Sequence, residues 1–113
     1  KENEVKLSEV NAKIIKKDNT TIFIYSLTAD YNKNNHNTVF REKVNIEYEK
    51  QKIDANIVNL NFTNNFIEIL ENVNYINEDT KIYADKAELN LLNNELKISM
   101  INAEDKVQIN GKY

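Results

Sequence analysis

Residues 44–70 of this 113-residue chain recur, displaced by 29 positions, as residues 73–99. The first copy reads VNIEYEKQKIDANIVNLNFTNNFIEIL and the second VNYINEDTKIYADKAELNLLNNELKIS. Eleven of the 27 paired positions are identical, among them Ile53/Ile82, Ala55/Ala84, Leu60/Leu89, Asn61/Asn90 and Ile69/Ile98. Asparagine abundance inflates the count a little, with 21 Asn in the chain. It does not explain why Val58/Ala87, Phe62/Leu91 and Ile67/Leu96 also coincide as apolar positions. A period near 30 residues means one supersecondary unit laid on itself to share a continuous core.

The unit is a β unit. Apolar and polar residues alternate with period two over 12–15 and 20–31, on either side of the polar tetrad 16–19, which reads as a hairpin turn. A polar loop at 32–37 follows. Further strands are predicted at 38–48, 51–62, 66–76, 80–92, 95–101 and 105–110. Glu49-Lys50, Asn64-Asn65, Asn77-Glu78-Asp79 and Asn93-Asn94 mark the reversals between them, at hairpin spacing. With one Gly and no Pro in the chain, Asn must make the turns, since it tolerates positive φ and bonds its own backbone. Short antiparallel strands in succession define an all-β sandwich, barrel or rolled sheet, in one domain over residues 1–113.

Within each repeat the alternation slips once at the same place. Ile53 and Ala55 share a face that Val58, Leu60 and Phe62 continue after a step of three, and Ile82, Ala84, Ala87, Leu89 and Leu91 do the same. A shared slip reads as a β-bulge in these strands, bending each while its apolar row stays inward, as a taco-shaped sheet requires. A helix over 84–92 is the local rival. The β-branched Ile53, Ile57 and Val58 in the matching stretch of the first copy argue against it.

Composition excludes several functions. Ile, Leu, Val and Phe make up 33 residues, enough for a core despite a mean hydropathy of −0.65. Net charge of −3 and a pI near 5.2, without a basic stripe, argue against nucleic acid. The absence of cysteine rules out disulfides and Cys-ligated zinc. His36, the sole histidine, sits in the Asn-rich loop without convergent partners, and the sole glycine, Gly111, makes no phosphate loop. Asp and Glu fall mostly opposite the apolar rows and read as solvated faces. The Asn19-Thr20-Thr21 and Asn61-Phe62-Thr63 triplets fit a glycosylation pattern by coincidence of composition. No catalytic residues, no metal site and no cofactor are indicated, and the chain reads as a non-enzyme. No apolar run reaches the ~18 residues of a membrane span. The start at Lys1 is read as that of a processed or shortened chain, with any anchor upstream.

A long apolar face remains. In the central strands it comprises Leu27, Ala29, Val44, Ile46, Ile53, Ala55, Val58, Leu60 and Phe62. It continues through Ile67, Ile69, Val73, Tyr75, Ile82, Ala84 and Ala87 to Leu89, Leu91, Leu96, Ile98 and Met100. A packed core without ligand is one reading. The other is a groove for an amphipathic lipid, favoured by alanines at the bends and by the lack of a second apolar layer.

The stretches 7–31 (LSEVNAKIIKKDNTTIFIYSLTADY), 43–48 (KVNIEY), 52–62 (KIDANIVNLNF) and 72–100 resemble, in order, the LptC family of lipopolysaccharide-export components. LTAD at 27–30 and ADKAELNLLNNELK at 84–97 carry the resemblance best, and the pattern is shared with OstA-type domains of LptA. The resemblance implies a twisted antiparallel β-jellyroll in the periplasm whose interior takes the acyl chains of lipopolysaccharide. It implies membrane attachment through an N-terminal helix beside an inner-membrane ABC transporter, and head-to-tail docking of jellyrolls through edge strands. Carried over, the edge at 9–15, with Asn11, Lys13 and Ile15, faces the transporter's periplasmic domain. The edge at 104–110, with Asp105, Val107 and Ile109, faces an LptA-like jellyroll. The chain lacks the glycine frequent around the family's first hairpin, and a soluble LptA-like bridge or a ligand-free β-repeat module remain alternatives.

Overall fold

The computed structural model describes residues 3–99 and 108–111, the last four by their backbone. The elements are β1 (Glu4–Ile15), β2 (Thr21–Asn32), β3 (Thr38–Tyr48), β4 (Gln51–Asn61), β5 (Phe66–Ile76), β6 (Thr80–Asn90), β7 (Leu96–Ser99) and β8 (Gln108–Gly111). They form one antiparallel sheet in the order β1 to β7, with β8 beside β6. Both β7 and β8 pair with β6, β7 against Lys86–Leu89 and β8 against Thr80–Tyr83. The sheet is open, since β1 pairs only with β2 among the described strands. The stretch 84–92 is strand as far as Asn90, which disposes of the helical rival.

Asparagine makes the turns, as the composition requires. Asn32 Oδ1 accepts from the amides of Asn34 (2.9 Å) and Asn35 (3.4 Å), and Asn90 Oδ1 accepts from those of Leu92 (2.8 Å) and Asn93 (3.3 Å). Asn61 Oδ1 receives the Asn64 amide at 3.0 Å. These three caps stand 29 residues apart. In the same turns His36, Asn65 and Asn94 take φ of 64°, 58° and 62°. The loops are thus tied by their own side chains, with no glycine needed.

Every strand from β2 to β6 changes its alternation at one level. On β4 and β6, two consecutive outward residues separate inward Ala55 from Val58 and Ala84 from Ala87. The inserted residue, however, lies in the neighbours. Register shifts fall between Arg41 and Val44 on β3 and between Leu70 and Val73 on β5, against two residues on the facing strand. The backbone there turns left-handed at Glu42 (67°), Lys43 (52°), Glu71 (65°) and Asn72 (55°). The expected bulges are real, but they sit in β3 and β5, not in β4 and β6. A β-bulge strengthens local twist and bends its strand, so a line of them creases the sheet across β2 to β6.

The crease closes the molecule on itself. Ile24, Ile46, Val58, Ile67 and Ile69 are all 0% exposed. Every described element belongs to the one sheet, so the half below the crease covers the half above it. The turns at opposite strand ends meet accordingly. Lys16 in the β1–β2 turn bonds Asn94 Oδ1 in the β6–β7 turn, and Asn94 Nδ2 donates to Asp18 Oδ2 at 3.1 Å.

Candidate functional site

The inner face is laid out in rungs by strand register. Below the crease, Ile24, Ile46, Ile53, Tyr75 and Ile82 stand opposite one another from β2 to β6. Val44 faces Ala55 and Val73 faces Ala84 on the next level. Above it run Ala29, Phe40, Val58, Ile69, Ala87 and Ile98. The uppermost rung is Thr38, Leu60, Ile67, Leu89 and Leu96. Alternation puts these side chains on one face because period two is the period of the pleat. Leu91, just past β6, is buried as well, while Leu96 and Ile98 on the short β7 are half-buried against the core.

Two of the residues assigned to this face lie elsewhere. Leu27 is 45% exposed and points outward, because β2 makes its own slip between Ser26 and Ala29. Phe62 is 40% exposed in the turn after β4. Met100 lies outside the described residues. Conversely, Ile22, Ile24, Phe40 and Tyr48 belong to the core and are absent from the sequence-derived face. For Ile24 and Phe40 the signal is present: Ile24, Ser26, Ala29 and Phe40 match Ile53, Ala55, Val58 and Ile69 at the 29-residue displacement, whereas Ile22 and Tyr48 fall on Gln51 and Asn77.

The core ends in a polar knot at the β3–β4 side. Gln51 Oε1 accepts from the hydroxyls of Tyr48 (3.1 Å) and Tyr75 (2.5 Å), and Asn77 Nδ2 donates to Tyr75 at 3.0 Å. Burial, and then the neighbouring Tyr75 and Glu49, push the Tyr48 phenol far above its ordinary range. Among the described residues no buried side-chain polar atom lacks a partner. The interior is therefore largely apolar, and its buried hydroxyls are bonded: Ser26 donates to the Thr28 carbonyl at 2.8 Å and Thr38 to the His36 carbonyl at 3.1 Å.

The outer face carries the charges. Asp30 lies 3.5 Å from both Lys6 and Arg41, and Lys86 reaches Glu68 at 3.2 Å. The Asn59 amide holds the Glu68 carboxyl below its ordinary value, against an opposing effect of burial and with further help from Lys86. His36 stacks obliquely on Tyr31 and bonds its hydroxyl. Among the described residues no group of three or more His, Cys, Asp or Glu is placed to hold a metal ion.

The edges differ in kind. Asn11, Lys13 and Ile15 on β1 are exposed, and Ile15 is 65% so. The opposite face of β1 presents Val10, Ala12 and Ile14 to the core. Beyond its pairing with β2, this twelve-residue strand has an outer edge without a partner among the described residues, a template for further pairing. Glu9, with φ of 50°, interrupts its regularity midway, and Lys13 sits 6.0 Å over the Phe23 ring. At the far edge Ile109 stands in register with Ile82, while Asp105 and Val107 lie outside the described residues.

The described strands form a creased, open antiparallel sheet with a largely apolar lining, a twisted β-jellyroll. The structure superposes with TM-score 0.64 on LptH of Pseudomonas aeruginosa, described as the LptA homologous periplasmic component of the lipopolysaccharide transport device. The match covers 97% of this chain and 95% of that one, at 8% sequence identity. No family model matches the sequence, and no curated protein matches it. The likeness is one of fold.

Proposed function

We propose that this chain is a non-enzymatic component of lipopolysaccharide transport, a single periplasmic jellyroll that shelters acyl chains between its sheet halves and hands the lipid onward. The observation that carries the reading is the long, predominantly apolar inner face within a fold matched over nearly its whole length by LptH. No bond chemistry is involved. Each lipid is retained by burial of its chains, at about 25 cal/mol per Å². The likeness to an LptA homologue supports a bridge between neighbouring jellyrolls. The finer assignment is LptC-like: tethered to the inner membrane by an upstream helix, with β1 toward the ABC transporter and the β7–β8 side toward an LptA-like partner. The outer edge of β1, which has no partner among the described strands, supports edge-to-edge docking of this kind.

The inward residues Ile53, Leu60, Ile69, Ile82, Leu89 and Ile98 are the proposed acyl contacts. A photo-crosslinking residue placed singly at these positions should yield lipopolysaccharide adducts, whereas outward Asn59 and Glu88 should not. Adducts spread evenly over both faces would sink the proposal. The near-zero exposure of the inner rungs favours a second reading, a ligand-free structural module. That reading gives no adducts at any position.

A further inference from the structure

Two turns that belong to opposite ends of the strands are fastened together. The Lys16 side chain, although it sits in a turn, is only 7% exposed. Its ammonium group bonds Asn94 Oδ1 and lies 3.8 Å from Asp18 Oδ2. Asn94 Nδ2 closes the ring by donating to Asp18 Oδ2 at 3.1 Å. Each partner is itself anchored: the Thr20 amide donates to Asp18 Oδ1 at 2.9 Å, and the Asn94 amide donates to the Asn90 carbonyl at 2.9 Å. These side-chain bonds bridge 78 and 76 positions of sequence, from the first hairpin to the β6–β7 turn. An ammonium group withdrawn from water is tolerated only when its donors are matched, and here the match comes from the far end of the sheet.

At the crease, away from this fastening, the backbone is under load. Glu9, Glu42, Lys43 and Glu71 hold positive φ without being Gly or Asn, joined by Asn72. For such residues the left-handed region costs about 1–2 kcal/mol each, and clusters of strained residues mark places where a structure is poised between arrangements. Between crease and fastening lie rungs too tightly shut to admit anything, with Ile24, Ile46 and Ile69 at 0% exposure. Access to the interior therefore requires the halves to part.

We infer that the Lys16–Asp18–Asn94 contact is a latch: it holds the creased sheet closed at its mouth, and its release lets the halves swing apart on the left-handed bulges of β3 and β5. The latch is a property of the fold. Its use for lipid entry rests on the function proposed above.

The chain has no native cysteine, so K16C/N94C gives a unique pair for a short bis-maleimide bridge. Hydrogen exchange at the Ile46 and Ile53 amides reports opening, and uptake of purified lipopolysaccharide reports use. The bridged protein should exchange these amides at least about tenfold more slowly than unbridged K16C/N94C, and should take up no lipid. Lys16→Met, which keeps the aliphatic stem but loses the donors, should exchange them about tenfold faster than the unmodified chain, the scale of one lost charged hydrogen bond. Equal exchange in bridged and unbridged protein, or in Lys16→Met and the unmodified chain, overturns the latch. Exchange that responds as expected while no form binds lipopolysaccharide supports the latch and overturns the lipid reading.

Discussion

Ile69→Ala probes whether the resting interior is a packed core or an open groove. Ile69 is fully buried, opposite Val58 on β4 and Ala87 on β6. The substitution removes three carbons, forfeiting about 2.4 kcal/mol of transfer free energy at ~0.8 kcal/mol per methylene. Its register partner Ala87 is too small to fill the gap, so a cavity term raises the cost to about 3–4 kcal/mol. With a urea m-value near 1.5 kcal/mol/M for a chain of this size, the unfolding midpoint should fall by roughly 2 M at unchanged slope. A domain of this length with ~5–15 kcal/mol of stability survives the loss. Leu27→Ala, on the outward face, should shift the midpoint by under about 0.5 M. If Ile69→Ala costs less than about 1 kcal/mol, as a solvent-lined groove would allow, the closed packing described above is wrong.

Other consequences can be read from the backbone and the polar margins. Glu49, first residue of the two-residue β3–β4 hairpin, has φ of 53°, so Glu49→Gly should raise thermal stability by about 0.5–1 kcal/mol despite glycine's greater unfolded-state entropy. Gln51→Ala leaves the Tyr48 hydroxyl without its acceptor and should cost about 1–3 kcal/mol in denaturant unfolding, a cost that shrinks in a Tyr48→Phe background. Asp18 and Glu68 titrate below their ordinary values of 3.8 and 4.5, Asp18 mainly through the Thr20 amide and Glu68 mainly through Asn59. A depressed carboxyl stabilises the fold above the unfolded-state value and loses that contribution as pH falls through the folded one. Stability should therefore hold from pH 7 to about 5 and decline below about 4.5, with a shallower acid limb in Glu68→Gln.

Much of the fold is legible in the sequence because its determinants are local. Period-two alternation sets β2 to β6 within a residue or two of their limits, and the polar turns place the reversals. Where the pattern misleads, the reason is geometric. A step of three along an apolar row reveals that a strand pair is bulged but not which strand holds the extra residue. The inward rows of β4 and β6 slip while the left-handed residues are Glu42-Lys43 and Glu71-Asn72 in β3 and β5, polar positions that no hydrophobic count notices. Reading β2 from Leu27 and Ala29 misplaces its phase, because the two cannot both face inward across its slip. Extending the 29-residue comparison back to Ile24, Ser26 and Ala29 supplies the right phase. The start of β1 at Glu4 is hidden for a different reason. With Lys6, Leu7, Ser8 and Glu9 all exposed, this stretch of the edge strand buries too little to alternate cleanly.

The most direct test of the account is methyl NMR on the isoleucines during titration with purified lipopolysaccharide. The δ1 methyls of Ile24, Ile46, Ile53, Ile69 and Ile82 line the rungs, whereas Ile15 is exposed at the end of β1 and Ile57 lies on the outward side of β4. Acyl chains entering between the halves should shift or broaden the inward set in a saturable way and leave Ile15 and Ile57 unmoved. Inward methyls that stay unchanged at saturating lipid, or shifts confined to Ile15 and Ile57, would contradict it.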